Sequence, residues 1–122
     1  MTRFPLPAFE HYWTMWNDQS LDTVRHHLDA AVTEDFIFCD PVEWHVGRDA
    51  LEANVHGLRE RFPTAHFEMR SGYDHHHNRY RYRWDMRWKS RVLVEGLDIA
   101  TVADDGLIER IDGFFGDLPP PD

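Results

Sequence analysis

Apolar residues recur at two spacings along this chain, and the change from one to the other divides it. Phe9, Tyr12, Trp13 and Trp16 fall at helical spacing and predict a helix over 8–17. Leu21, Val24 and Leu28 predict a second helix over 20–28, with Ser20 as its N-cap. Residues 33–40 alternate instead. Phe36, Phe38 and Asp40 share one face and Ile37 and Cys39 the other, in a strand ended by Pro41. After Gly47, the positions of Leu51, Val55, Leu58 and Phe62 predict a third helix over 49–62, stopped by Pro63. From residue 64 the period is two, beginning with Phe67, Met69 and Ser71 on one face. A turn near His75 to Asn78 precedes the clearest strand. There Tyr80, Tyr82, Trp84, Met86 and Trp88 alternate with Arg79, Arg81, Arg83, Asp85, Arg87 and Lys89. Ser90 and Arg91 are predicted to turn the chain into a strand over 92–103. Asp104-Asp105-Gly106 is a hairpin turn, and a last strand runs from Leu107 to about Phe115. The Pro-containing flanks, 1–7 and 117–122, fit neither a helix nor an inner strand.

Helices followed by mainly antiparallel strands define an α+β class: three helices packed on a strongly curved sheet. At 122 residues the chain is one domain, with its core over about 8–116. Aromatic residues reach 14%, so the rings need an aromatic core or a pocket that they line. A net charge of −9 argues against nucleic acid and against an anionic membrane surface as partners. No apolar run is long enough to span a membrane, and the N-terminus lacks the pattern of a signal peptide. Cys39 is the single cysteine, which excludes an internal disulfide. These features together predict a cytoplasmic protein.

Two acids stand out. Asp40 shares a face with Phe36 and Phe38, where a carboxylate is unfavourable unless paired, hydrogen-bonded or protonated. Either it serves a site, or it ends the strand and caps the turn before Trp44. Asp98 shares a face with Val94, Gly96, Ala100 and Val102, and needs either a proton or a donor. In one cavity the two would hold different pKa values and could divide acid and base roles. Tyr12 is a further candidate, or a core ring with its tip at the surface. Runs at His26-His27 and His75-His76-His77 invite a metal, but a metal site needs a preorganised set with supporting acids, and the second run lies in a predicted turn. No metal is expected. The arginines from Arg79 to Arg87 read as an outer-face charge ladder with Glu68 and Glu95, and Cys39 as a small buried hydrophobe.

The order of elements resembles the nuclear transport factor two fold, also called the SnoaL-like or ketosteroid-isomerase-like superfamily. The resemblance runs over about residues 8–116. It rests on Asp40-Pro41, Gly47-Arg48-Asp49, Glu95-Gly96-Leu97-Asp98 and Asp105-Gly106-Leu107-Ile108. Arg81-Tyr82-Arg83-Trp84 and Gly113-Phe114-Phe115-Gly116 add a nearer likeness to small bacterial members. The ketosteroid-isomerase branch implies Asp40 as general base, with Tyr12 and a protonated Asp98 as donors to an enolate oxygen. The limonene-epoxide-hydrolase and SnoaL cyclase branches place an acid where this chain has Gly113. Trp84 implies a cavity smaller than a steroid needs. Asn54, Tyr82, Trp84, Met86, Ile111 and Phe115 would shape it. The expectation is a cofactor-free isomerase or cyclase-like enzyme acting beside the carbonyl of a small apolar molecule. A non-catalytic binder of the same fold, or an interaction domain with a vestigial pocket, are the alternatives. A homodimer is expected through the outer face, where Leu97, Ile99 and Phe114 mix with Glu68, Glu95, Asp112 and the arginines.

Overall fold

In a computed structural model describing residues 3–122, helices and strands follow the predicted order; Met1 and Thr2 of the predicted lead-in lie outside the described residues. The elements are α1 (Pro7–Asn17), a 3-10 turn (Leu21–Thr23), α2 (Val24–Ala31), β1 (Val32–Cys39), β2 (Trp44–Val46), α3 (Arg48–Arg61), β3 (His66–Met69), β4 (Asp74–His76), β5 (Arg79–Trp88), β6 (Arg91–Val102) and β7 (Ile108–Phe115). The strands make one curved sheet in the order β2-β1-β7-β6-β5-β3, with β4 also paired to β5. β1 and β7 run parallel, and the other pairs run antiparallel.

The core forms where the helices meet one face of this sheet. Phe9 and Met15 of α1, Val24 and Leu28 of α2 and Leu51 and Val55 of α3 are fully buried against Phe36, Ile108 and Ile111. Removing that apolar area from water is the main favourable term in assembling the layers. The register in β5–β6 breaks between Met86 and Arg87, and a bulge of this kind bends a strand pair.

Several side chains fix the helices relative to the strands that carry the site. The buried Arg59 of α3 donates from Nη1 to the Ala65 carbonyl at 2.7 Å and from Nη2 to the Trp16 carbonyl. Asn17, the last residue of α1, accepts the Phe67 amide at 2.7 Å. The C-terminal end of α1 is thereby tied to both α3 and β3.

The structure departs from the sequence pattern in three places. Ser20 makes no cap; Asp18 instead accepts the Ser20 amide at 2.9 Å and the Thr23 hydroxyl, which shortens the predicted helix start to a 3-10 turn and leaves Leu21 exposed. β2 and β4 are three-residue edge strands, too short for alternation to mark. The β5–β6 turn is Lys89-Ser90 rather than Ser90-Arg91. Both residues have positive φ (51° and 64°), the signature of a two-residue primed hairpin turn built here without glycine.

On the outer face the arginines form a charge ladder with Glu68, as expected, and with Asp74 and Asp85 in place of the expected Glu95. Arg87 meets Glu68 at 3.0 Å, Arg81 meets Asp74 at 2.8 Å, and Asp85 is buried between Arg70 and Arg87, each at 3.3 Å. No helix among the described residues is long and apolar enough to cross a membrane.

Candidate functional site

Helices α1 and α3 and the inner face of the sheet enclose a cavity of about 230 Å³. Its wall is mostly apolar, with Trp16, Phe38, Phe67 and Phe115 among the rings. Asp40, Asp98, Tyr12, Asn54, Tyr82, Trp84 and Met86 also line it. Ile111 does not. It is fully buried in the core beneath the cavity wall, because the parallel β1–β7 pairing sets it against Phe38 under the helices.

Asp98 sits in the middle of β6 and is 7% exposed. The Tyr82 hydroxyl on β5 donates to its Oδ2 at 3.1 Å, across the register pair that the two residues form. Burial pushes the Asp98 carboxyl up to about 7; the nearby Tyr82 hydroxyl and Trp84 indole oppose the rise, and the charge of Asp40 adds to it. The Trp84 N–H lies near enough to act on Asp98, and it is buried without an acceptor in hydrogen-bonding geometry. Near neutrality Asp98 is therefore about half protonated, and below it mostly a neutral donor.

Trp84 owes its position to Gly96. A Cβ at residue 96 would stand 2.2 Å from the indole Cζ2, so the ring lies directly on the β6 backbone. Phe67 and Phe115 flank it edge-on at 5.5 and 6.2 Å between ring centres.

Tyr12 is held in α1 by the Trp16 and Phe36 rings, with its hydroxyl buried and lacking a hydrogen-bond partner. Burial, then the charge of Asp98, keeps its phenol well above the ordinary value; the Trp16 indole opposes this from nearby. It is a donor, not a base.

Asp40 follows the last residue of β1 and is half-buried. Its Oδ1 accepts the Val42 and Glu43 amides at 2.9 and 2.8 Å, and its own amide donates to the Glu43 carbonyl at 3.0 Å. The capping role and a place in the cavity wall, offered by the sequence as alternatives, coexist. Because both amides fall on Oδ1, they fix the carboxylate plane without occupying Oδ2.

Gly113 brings the two acids together. It pairs with Asp98 across β6–β7, and Asp40 follows the residue that pairs with Asp112. A Cβ at position 113 would lie 3.1 Å from Asp98 Oδ1 and 3.2 Å from Asp40 Cβ. One added methyl group would touch both acids.

Trp16, Phe38, Phe67 and Arg61 also line the cavity, beyond the positions picked from the sequence. Two of them carried a usable signal. Phe38 precedes Asp40 by two on the same strand face, and Arg61 follows Asn54 by seven and Leu58 by three on one face of α3. The exposed Arg61 is a cation at the cavity rim. The histidines stay outside: His76 and His77 are exposed, and among the described residues no group of three or more His, Cys, Asp or Glu side chains is placed to hold a metal.

A helix layer over one face of a curved mixed sheet, with a closed-end pocket between them, defines a nuclear-transport-factor-two-like α+β domain. Residues 9–111 match the model of the SnoaL-like domain, and the chain belongs to that family. Among solved structures, the chain is similar to a candidate isomerase of the SnoaL-like family from Agrobacterium tumefaciens. The two share 23% identity over 90% of this chain and 95% of that one, with a TM-score of 0.83. An NTF2-like protein of unknown function from Exiguobacterium is 17% identical over 91% of this chain and 99% of its own, with a TM-score of 0.76. A candidate polyketide cyclase from Sinorhizobium meliloti is 15% identical over 93% and 99%, with a TM-score of 0.71. At these identities the likeness establishes the fold. No curated protein matches the sequence.

Proposed function

We propose that this protein is a cofactor-free acid/base enzyme of the isomerase or cyclase-like kind, acting on carbon next to the carbonyl of a small, mostly apolar molecule. The observation that carries this reading is the pair of acids at Gly113, in one apolar cavity and in unlike environments. Asp40 takes the proton: the substrate C–H bond breaks, the proton goes to the carboxylate, and the electron pair moves onto the carbonyl oxygen. Tyr12 and neutral Asp98 donate to that oxygen as its charge develops, inside a mostly apolar wall. Asp40 then returns the proton to the same or a neighbouring carbon. The side chains supply every step. The cavity volume, below the roughly 300 Å³ where drug-sized sites begin, suits a substrate smaller than a steroid.

The test is deuterium uptake at the α-carbon of small cyclic ketones, followed by NMR. The wild-type chain should catalyse uptake, and Asp40→Asn should slow it by about 10²–10⁴-fold, the usual worth of a general base, with ketone binding kept within a few-fold. Binding without catalysed exchange would favour the second reading, a non-catalytic small-molecule-binding protein. The engagement of Asp40 in its turn supports that alternative, since capping alone gives the residue a purpose.

The same reading includes a homodimer through the outer sheet face. Phe114 at 56% exposure and Trp44 at 60% lie there beside Arg110 and Asp112, a mixture of apolar and paired charged groups suited to a self-complementary surface.

A further inference from the structure

The polar end of the cavity holds more donors than one carbonyl oxygen can use. A carbonyl oxygen has two lone pairs. On the proposed reading these are taken by Tyr12, whose hydroxyl is buried without a partner, and by neutral Asp98. The Trp84 indole N–H is a third buried donor, also without an acceptor, beside the same carboxyl. Orphaned buried donors are uncommon because water cannot replace what the fold withholds. This one is also difficult to turn away. Gly96 lets the ring lie on the β6 backbone, and Phe67 and Phe115 stand at its edges.

We propose that Trp84 Nε1–H is a ligand donor that selects substrates carrying a second acceptor oxygen beside the reacting carbonyl, the β-oxygenated carbonyl class. The inference rests on the carbonyl reading of the pocket and narrows it. The carbon between two such oxygens holds its proton least tightly. When Asp40 removes that proton, the electron pair spreads over both oxygens, one on Tyr12 and Asp98 and the other on Trp84. A carboxylate head would also offer two acceptors, but it would bring a full negative charge to a pocket already holding Asp40 and Asp98. At about 30 Å³ per water, the cavity has room for about eight waters, enough for a two-oxygen head and a short apolar chain.

The test uses two probes of equal chain length, acetylacetone and pentan-2-one, with the full chain carrying nitrogen-15 in its indoles. Acetylacetone should move the Trp84 Nε1–H resonance downfield in a saturable way, and pentan-2-one should leave it nearly in place. Acetylacetone should bind about tenfold or more tightly than pentan-2-one, a gap worth about one good hydrogen bond. Trp84→Phe should bring that ratio close to one while keeping pentan-2-one affinity, whereas Tyr12→Phe should weaken both probes alike. If Trp84→Phe weakens both probes equally, or acetylacetone binds without moving the Trp84 resonance, the ring is packing alone and the proposal falls. If Trp84→Phe does not fold, the wild-type resonance decides by itself. Failure of the wild type to bind either probe overturns the carbonyl reading and this inference with it.

Discussion

Asp98 and Gly113 carry most of the chemistry that can be argued at the scale of single residues. In the folded chain Asp98 keeps its proton up to about pH 7, while its ordinary value is 3.8. Between those two values the native state binds a proton that the unfolded state has lost. The contribution to stability is thus whole below about pH 4, declines as pH rises, and is lost through about pH 7. Its full size is on the order of 4 kcal/mol for a shift of this extent. Asp98→Asn, which keeps a neutral donor, should flatten the fall in urea midpoint between about pH 4 and pH 7 and leave the fold intact. An unchanged slope would mean that Asp98 is not the titrating group. Gly113→Ala places a methyl group against both acids without demanding an unusual backbone angle. It should reduce catalysed exchange by at least about tenfold while costing only about 1–3 kcal/mol of stability, the usual range for overpacking. Exchange at the wild-type rate in this variant would separate the acids from the reaction.

At the scale of elements, the long periodic segments were legible and the short ones were not. Arg79 to Trp88 alternates over ten residues, so the strand and the faces of Tyr82 and Trp84 followed from sequence. Asp40 and Asp98 followed by parity with Phe38 and Ala100. Ile111 was misplaced because parity names a face, not which part of that face the helices cover. β2 and β4 are fixed by pairing to longer strands, a long-range effect that no local pattern records. The Lys89-Ser90 turn was missed because it uses positive φ without Gly or Asn. Ser90→Gly should therefore raise stability by about 0.5 kcal/mol, since relief of a left-handed serine outweighs the added freedom of the unfolded chain. A lowered urea midpoint would contradict that account. In β6, Gly96→Ala has no such latitude: its Cβ would run into the Trp84 ring. It should cost about 1–3 kcal/mol or more and shift tryptophan emission as the indole is displaced.

For the molecule as a whole, the fold presents a mostly apolar pocket on one side of the sheet and a partly apolar surface on the other. If the outer face joins two copies, sedimentation at micromolar concentration should give a dimer, and Phe114→Glu should give a monomer that keeps its pocket. A wild-type monomer at that concentration would dismiss the dimer. The account as a whole stands on two carboxyls in one cavity, one of them held partly protonated near neutrality by burial and, to a lesser extent, by the charge of the other. Carbon-13 NMR titration of the Asp98 carboxyl tests this most directly. The wild type should titrate at about 7, and Asp40→Asn should lower that value by removing the neighbouring charge. An Asp98 that titrates near 3.8, unmoved by Asp40→Asn, would contradict the shared site.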